Sequence, residues 1–457
     1  MLGAVLVLVL VLTLCEHAAW SAPGHAYGFG ARATALGGAV SADAGDAAAP
    51  FYNPALLSRA EHSELLLGYR AVDPALRTNG SDAAVPGVTS VDAAALGRGA
   101  LLGIPVGFGL SLSLANGHLS RVESLRADEA RWALRDPLPE LFDLSAAAAA
   151  APARWLALGA GIGFLATTRS SFEVTGDAKL SDGHGSEYDS ELRHAVDAEL
   201  GSVRFPLFGA RVELPTLLAS TTHPLQLALG LSYRGEAKLE QSLHGVLAGN
   251  VDAGFAQIPV RYTFDAQSLI AFQPRQVVLG VSAHSGPQRL NLDVGWEQWS
   301  RSPSPVARSG AQVEADLPPG LPLALPPDSE LPLASKAGFS DRVTWRVGTE
   351  RKLPLRAKTQ LALRAGYAYL PTPVPKSSSA DEIMDAPEHV LALGAGVRFE
   401  PAALWGLPGG LSLDVFGLYG RSTRQRLERR GHVFVADGHS WSAGLTLSLL
   451  LSRSAGD

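Results

Sequence analysis

Few residues in this chain are placed to do chemistry. The run Gly438-His439-Ser440-Trp441-Ser442 sets a histidine beside serines, the base and nucleophile of a lipid hydrolase. Nothing in the sequence supplies the acid that would orient the imidazole, or the donors of an oxyanion site, so no catalytic residue is expected. Cys15 is the only cysteine and falls in a segment expected to be removed, which leaves the mature chain no thiol, disulfide or cysteine metal site. Leu14 before it is not the small residue that lipoprotein processing needs. No metal and no cofactor are expected. What remains is a set of isolated charges, Asp293, Arg346, Arg364, Arg398 and Asp414, each embedded in an apolar run. Single charges among Gly, Ala and Ser at alternate positions stay hydrated when that side of a strand faces a wet, crowded interior.

The elements carrying those charges have a two-residue rhythm. Leu225, Leu227, Leu229 and Leu231 alternate with Gln226, Ala228, Gly230 and Ser232. Leu110, Leu112 and Leu114 do so against Ser111 and Ser113, and Leu290, Leu292 and Val294 against Asn291, Asp293 and Gly295. Period two is that of a strand with unlike surroundings on its two faces. A soluble sandwich shares the pattern, so quantity and position must decide. The 457 residues hold no helix-period segment long enough to anchor an α/β domain. Charged residues are 18% of the chain and mean hydropathy is +0.11, between the values of soluble all-β and helical membrane proteins, as when only alternate residues face lipid. A net charge of -6 gives no sign of a nucleic-acid surface.

Leu2 to Leu12 is an unbroken apolar run, too short to span a bilayer and of the kind found in secretory signal peptides. Residues 1–22 are read as that signal, with cleavage between 19 and 26, although no Lys or Arg precedes the run. Residues 27–63, rich in Gly and Ala, have neither strand nor helix rhythm; on composition they are equally a plug inside a lumen or a flexible leader. Residues 64–452 then read as fourteen strands: 64–72, 90–104, 106–115, 143–152, 154–175, 189–205, 225–243, 259–285, 289–301, 342–352, 359–370, 388–400, 410–425 and 439–452. An even count suits a closed antiparallel barrel, which leaves no unpaired edge in lipid. Connections alternate long and short, as in outer-membrane barrels, except that 206–224 is long for a turn. The connection 116–142 is spaced for one or two short helices, and 302–341, with eight prolines from Pro303 to Pro332, is expected to be irregular. Arg421, Arg424, Arg426, Arg429 and Arg430 cluster near a loop and either touch lipid phosphates or are simply solvated. The fold class expected is all-β, a transmembrane antiparallel β-barrel of about 14 strands.

Four segments resemble the FadL/TodX family of outer-membrane transporters for long-chain fatty acids and other hydrophobic compounds. They are the leader with Asn53-Pro54-Ala55, the strand with Gly230, Ser232, Tyr233 and Arg234, "LNLDVGWEQWS" ending in Trp299 and Ser300, and the stretch from "DRVTWRVGTE" through "LALRAGYAYLPTPVP" and "HVLALGAGVRF" to "LSLDVFGLYGRS". The likeness spans nearly the whole mature chain. It implies a fourteen-stranded barrel with an N-terminal hatch in the lumen, Asn53, Pro54 and Ala55 at the gate, and sideways release of cargo near a kinked third strand. Gly107 and Gly109 are the candidate kink, or ordinary strand glycines. Phe51 and Tyr52 are candidate pocket residues, or they pack the hatch on the wall. Arg364 and Arg398 point into the lumen by phase, either to a ligand carboxylate or to Asp293 and Asp414. The partners expected are hydrophobic small molecules and outer-membrane lipid, for a monomer.

Three features depart from that pattern or limit it. The final strand has no terminal aromatic, ending instead at Leu451 before a six-residue tail. Aromatic content is only 7%, so the interfacial girdles are thin, supplied in part by Trp132, Trp155, Trp296, Trp299, Trp345, Trp405 and Trp441. Rival roles are a surface scaffold presenting the Pro-rich 302–340 loop and a general diffusion porin, which the expected plug disfavours.

Overall fold

The computed structural model describes residues 28–451 except 44, 84, 116–129, 133, 136–141, 167–169, 182–186, 201–202, 217–222, 253–256, 307, 316–327, 334, 357, 380 and 400–408. The signal segment with Cys15, the helices expected in 116–142, Trp405 and the carboxy-terminal tail lie wholly or mostly outside these residues.

The main sheet has 16 strands. Two of them, Ser81–Asp82 and Ser377–Ser378, are two-residue pieces in connections, which leaves fourteen wall strands. In chain order these are β1 (Ser63–Thr78), β2 (Val88–Leu101), β3 (Ile104–Ala115), β4 (Phe142–Ala153), β5 (Leu156–Ala166), β8 (Val203–Glu213), β9 (Gln226–Arg234), β12 (Gln276–Ser285), β13 (Gln288–Glu297), β15 (Arg342–Arg356), β16 (Thr359–Leu370), β17 (Glu388–Phe399), β18 (Gly409–Arg429) and β19 (His432–Leu451). All neighbours are antiparallel, and β19 closes the ring on β1 from Ser63↔Leu451 to Thr78↔Ala436.

Alternation explains which face goes where. Leu65, Phe108, Leu110, Leu158, Phe208, Leu279, Leu363, Leu393 and Leu413 are exposed, whereas Ser113, Asp143, Asn291, Asp293, Glu350 and Asp414 are buried. Large apolar side chains outside and charges inside invert the arrangement of a soluble protein, and the solvent that accepts it is lipid. Among the described residues no helix is long and apolar enough to cross a membrane; the strands do so, and the protein is an outer-membrane barrel. Trp345 and Trp441 are exposed on the wall and Trp155 in the short turn between β4 and β5, in keeping with a thin girdle, but Trp132 is buried at the long-loop end, its Nε1 donating to Thr78.

A second, five-stranded sheet rises from the long-loop end in the order β14–β11–β10–β7–β6. It comprises β6 (Ser170–Ser181), β7 (Glu187–Leu200), β10 (Ala237–Asp252), β11 (Gln257–Gln273) and β14 (Arg308–Ala315). This sheet corrects the strand assignment. The sixth wall strand is 203–213 rather than 189–205, so the overlong "turn" at 206–224 is in part strand. The runs 225–243 and 259–285 each divide into a wall strand and an outer strand, at Gly235–Glu236 and at Pro274–Arg275. Glycine weakens a strand and proline removes a ladder donor, which is why the breaks fall there. Residues 308–315, expected to be irregular, form β14, because the prolines flank this octet and none lies within it. Residues at the two ends of that loop are tied down too: Ala337 N donates to Ser302 O at 3.0 Å, and Ala337 and Phe339 pack with Val374 and Ile383. Beside them Trp132, Met384, Leu427 and Ala436 form a second apolar cluster among the long loops.

Candidate functional site

The amino-terminal segment, residues 28–60, touches inward-facing groups of strands on opposite sides of the ring. Helix α1 (Ala31–Ala35) meets β16, β17, β18 and β19, whereas the 3-10 helix Pro54–Arg59 meets β2, β3, β4, β5 and β8. Between them Val40 and Ser41 donate backbone N–H groups to Asp293 on β13, both at 3.0 Å. Contact this close requires wall positions without side chains. A methyl group on Gly230 or Gly280 would meet Ser41 and Ala42, on Gly348 or Gly366 Leu36, on Gly394 Ala35, and on Gly159 or Gly209 the Asn53–Ala55 stretch. These inward glycines form a seat for the backbone of the segment.

The Asn53-Pro54-Ala55 motif has a local explanation. Helix α2 (Ala49–Tyr52) ends at Asn53, which is extended and caps the following 3-10 helix by accepting from Ala55 N at 3.0 Å. Its amide also donates to Ser41 O at 2.6 Å and to Ala210 O at 3.2 Å, joining two parts of the segment to the wall. Pro54 occupies the first helical position, where a missing N–H costs nothing. Ala55 is fully buried against Ala151 and Ala157.

Phe51 and Tyr52 lie on the side of the segment towards the long loops. Phe51 stacks on Phe29 at 5.3 Å between centroids and meets Tyr52 edge-on at 5.0 Å. The guanidinium of Arg234, at the long-loop end of β9, lies 4.7 Å from the Phe51 ring and donates to Phe51 O. Ser232 donates to Tyr52 O at 2.6 Å. Tyr52 Oη donates to Phe29 O at 3.1 Å and accepts from Phe29 N at 2.8 Å. Burial pushes the Tyr52 hydroxyl up to about 12. Both rings therefore pack the segment onto the wall, and both stay partly accessible.

The opposite side, towards the short turns, is ionic. Arg32 pairs with Asp43, with Asp46 at 3.2 Å and with Glu350 at 3.2 Å. Glu350 also receives Arg364 at 2.7 Å, and Arg364 reaches Asp414 at 2.5 Å. Arg289 pairs with Asp43. Burial works to raise the Asp43 carboxyl, but Arg32 and Arg289 outweigh it and hold it below the usual carboxylate range. A cavity of about 150 Å³ opens beneath, lined by Arg32, Asp46, Glu64, Lys352, Arg398 and Asp414 among others.

The expected residues thus separate. Asn53, Pro54, Ala55, Phe51 and Tyr52 come together in one unit. Arg364 faces inward as its phase implied, but Glu350 and Asp414 occupy its guanidinium, and Asp293 accepts from the segment's backbone and has Arg346 as its cross-strand neighbour. Arg398 borders the polar cavity, far along the barrel from the aromatic rings. Gly107 and Gly109 keep unbroken pairing with β2 and β4, with no register shift at either; they leave space for Leu57 and Pro50. His439 and Ser440 lie on opposite faces of β19, Ser440 donating inward to Glu388 at 3.1 Å. Glu350 and the glycine seats were missed. Inward phase marks the glycines in the sequence, but their common level around the ring does not show there.

No family model and no curated protein matches the chain. Its fold has counterparts among solved structures. One is the toluene transporter TodX of Pseudomonas putida, with a TM-score of 0.52 at 16% identity over 94% of this chain and 100% of that one. Another is a FadL homologue of Pseudomonas aeruginosa, with a TM-score of 0.54 at 17% identity over 92% of this chain and 97% of that one. At such identities the likeness is one of fold.

Proposed function

Proceeding from a barrel that has the fold of the FadL/TodX-type transporters, we propose that this protein carries hydrophobic compounds inward across the outer membrane, long-chain fatty acids first among them. Residues 27–63 are the hatch and residues 64–452 the barrel, with Asn53, Pro54 and Ala55 holding the gate. The observation that carries this reading is the partly accessible surface of Phe51 and Tyr52, backed by the buried Phe29 ring and turned to the long loops inside the lumen. Each methylene withdrawn from water onto such a surface is worth about 0.8 kcal/mol, so a short apolar floor captures a long chain.

Release is sideways into the bilayer. Straight passage would bring an apolar cargo past Arg32, Glu350 and Arg364 into the polar cavity, where it gains nothing. Because β3 keeps its ladder at Gly107 and Gly109, sideways exit requires Leu57 and Pro50 to withdraw before the wall opens. Mass spectrometry of compounds retained by the detergent-solubilised barrel tests the reading, together with uptake of fatty acid and of a neutral hydrocarbon into liposomes. A preparation that holds no hydrophobic ligand, speeds no uptake and conducts ions freely across a planar bilayer would overturn it in favour of a porin.

A further inference from the structure

The outer wall carries a second feature that the transport reading does not use. On β18 and β19 the exposed apolar band runs through Leu413, Val415 and Leu445 and ends at the cross-strand pair Tyr419↔Trp441, whose rings lie 4.5 Å apart. An aromatic pair closing an apolar band marks the level where acyl chains give way to headgroups. The next outward pair is Arg421↔His439. Beyond it the register shifts between Ser422 and Gln425, and Arg424 and Arg426 are both exposed.

These arginines differ from the others nearby. Arg77 pairs with Asp437 at 3.2 Å, and buried Arg429 donates to the carbonyls of Ile383 and Pro375, each at 2.7 Å. Among the described residues Arg421, Arg424 and Arg426 make no ion pair. The carboxylates on this face are Glu428, at the hairpin tip, Asp73 on β1 opposite Trp441, and Asp437, which Arg77 holds. Three unpaired guanidinium groups therefore stand directly above the aromatic pair at the long-loop, outward-facing end. Arginine binds phosphate through paired, charge-assisted hydrogen bonds, and a low-dielectric interface strengthens them.

We infer that this face is a docking site for a phosphorylated glycolipid of the outer leaflet, with acyl chains along Leu413, Val415 and Leu445, the sugar over Tyr419 and Trp441, and the phosphates at Arg421, Arg424 and Arg426. The occupant is a lipid rather than free phosphate because the basic group continues the apolar band.

The test uses the full mature barrel in detergent, titrated with outer-membrane glycolipid and with the same lipid after enzymatic dephosphorylation, read by native mass spectrometry. The wild type should bind the phosphorylated form roughly tenfold or more tightly than the other. R421Q/R424Q/R426Q should bind both forms alike, while R154Q/R351Q/R356Q, which removes equal charge at the short-turn end, keeps the preference. Heat-modifiable migration on gels verifies that each variant is a folded barrel. No preference in the wild type, a preference surviving in the first variant, or equal loss in the second would each overturn the assignment.

Discussion

The two sides of the amino-terminal segment are built on opposite principles. Towards the long loops it presents the rings of Phe51 and Tyr52, packed on buried Phe29 and steadied by Arg234 and Ser232 through backbone carbonyls. Towards the short turns it presents charges, Arg32, Asp43 and Asp46, tied to Arg289 and Glu350 on the wall. The ring side holds the segment with contacts that leave apolar surface accessible; the ionic side holds it with a network of largely buried charges shared among several partners. A surface for greasy cargo and an anchor are thus kept apart by the thickness of one chain.

If that division is right, damage to the anchor should be the most severe. Glu350→Ala removes the carboxylate on which three guanidinium groups converge, leaving them Asp43, Asp46 and Asp414, and breaking a buried ion pair in this way costs about 3–5 kcal/mol. The denaturation midpoint in detergent should fall, and protease should reach the segment in the folded barrel; unchanged values would show the network to be ornamental. Acid probes the same anchor without mutation. Because Asp43 is held below its ordinary 3.8, its stabilisation is complete above that pH and is lost as the pH falls below it through the lowered value. Protease protection of the segment should stay level from neutral pH down to about 4 and then collapse. Collapse beginning near neutrality would assign the latch to a different group.

The seat comes next. Gly230→Val forces a side chain into the backbone of Ser41 and Ala42, an overpacking that costs about 1–3 kcal/mol. Its counterpart Gly417→Val faces open space. Planar-bilayer conductance should rise for the first and not for the second; equal traces would mean that the segment does not rest on the glycines.

On the ring side the effect is on ligand rather than fold. Phe51→Ala removes a half-buried ring, worth about 1 kcal/mol of apolar contact or roughly fivefold in affinity for a fatty acid or hydrocarbon. Stability should fall less than in Glu350→Ala. The reverse order, ligand binding intact and the barrel unstable, would make Phe51 a packing residue alone.

How much of this was readable beforehand depends on the range of the interaction. Alternation such as Leu225 to Leu231 is local, so strands and their inward faces were legible, Arg364 included. Which sheet a strand joins is not local: 189–205 has the right rhythm but its partners lie at 170–181 and 237–252, beyond any period. The count of fourteen survived because the mistaken sixth strand adjoined the true one at 203–213. Asn53-Pro54-Ala55 was visible as a motif, and its capping geometry follows from residue type. The partners of Arg364, at Glu350 and Asp414, and the level at which Gly159, Gly230 and Gly366 line up, depend on barrel stagger, which no single strand records.

The finest distinction falls on Tyr52, whose ring serves one side of the segment and whose hydroxyl closes its own chain onto Phe29. Tyr52→Phe keeps the ring and loses hydrogen bonds worth about 1 kcal/mol. Ligand affinity should therefore be unchanged while stability drops slightly. The pH course separates the two contributions further. The hydroxyl is kept neutral up to about 12 in the fold against 10.0 ordinarily, so its contribution is present below pH 10 and is lost as the pH rises from there through about 12. The stability gap between wild type and Tyr52→Phe should be flat to pH 10 and shrink above it. A gap constant to pH 12 would mean that the hydroxyl is solvated, and that the rings alone hold this side of the segment.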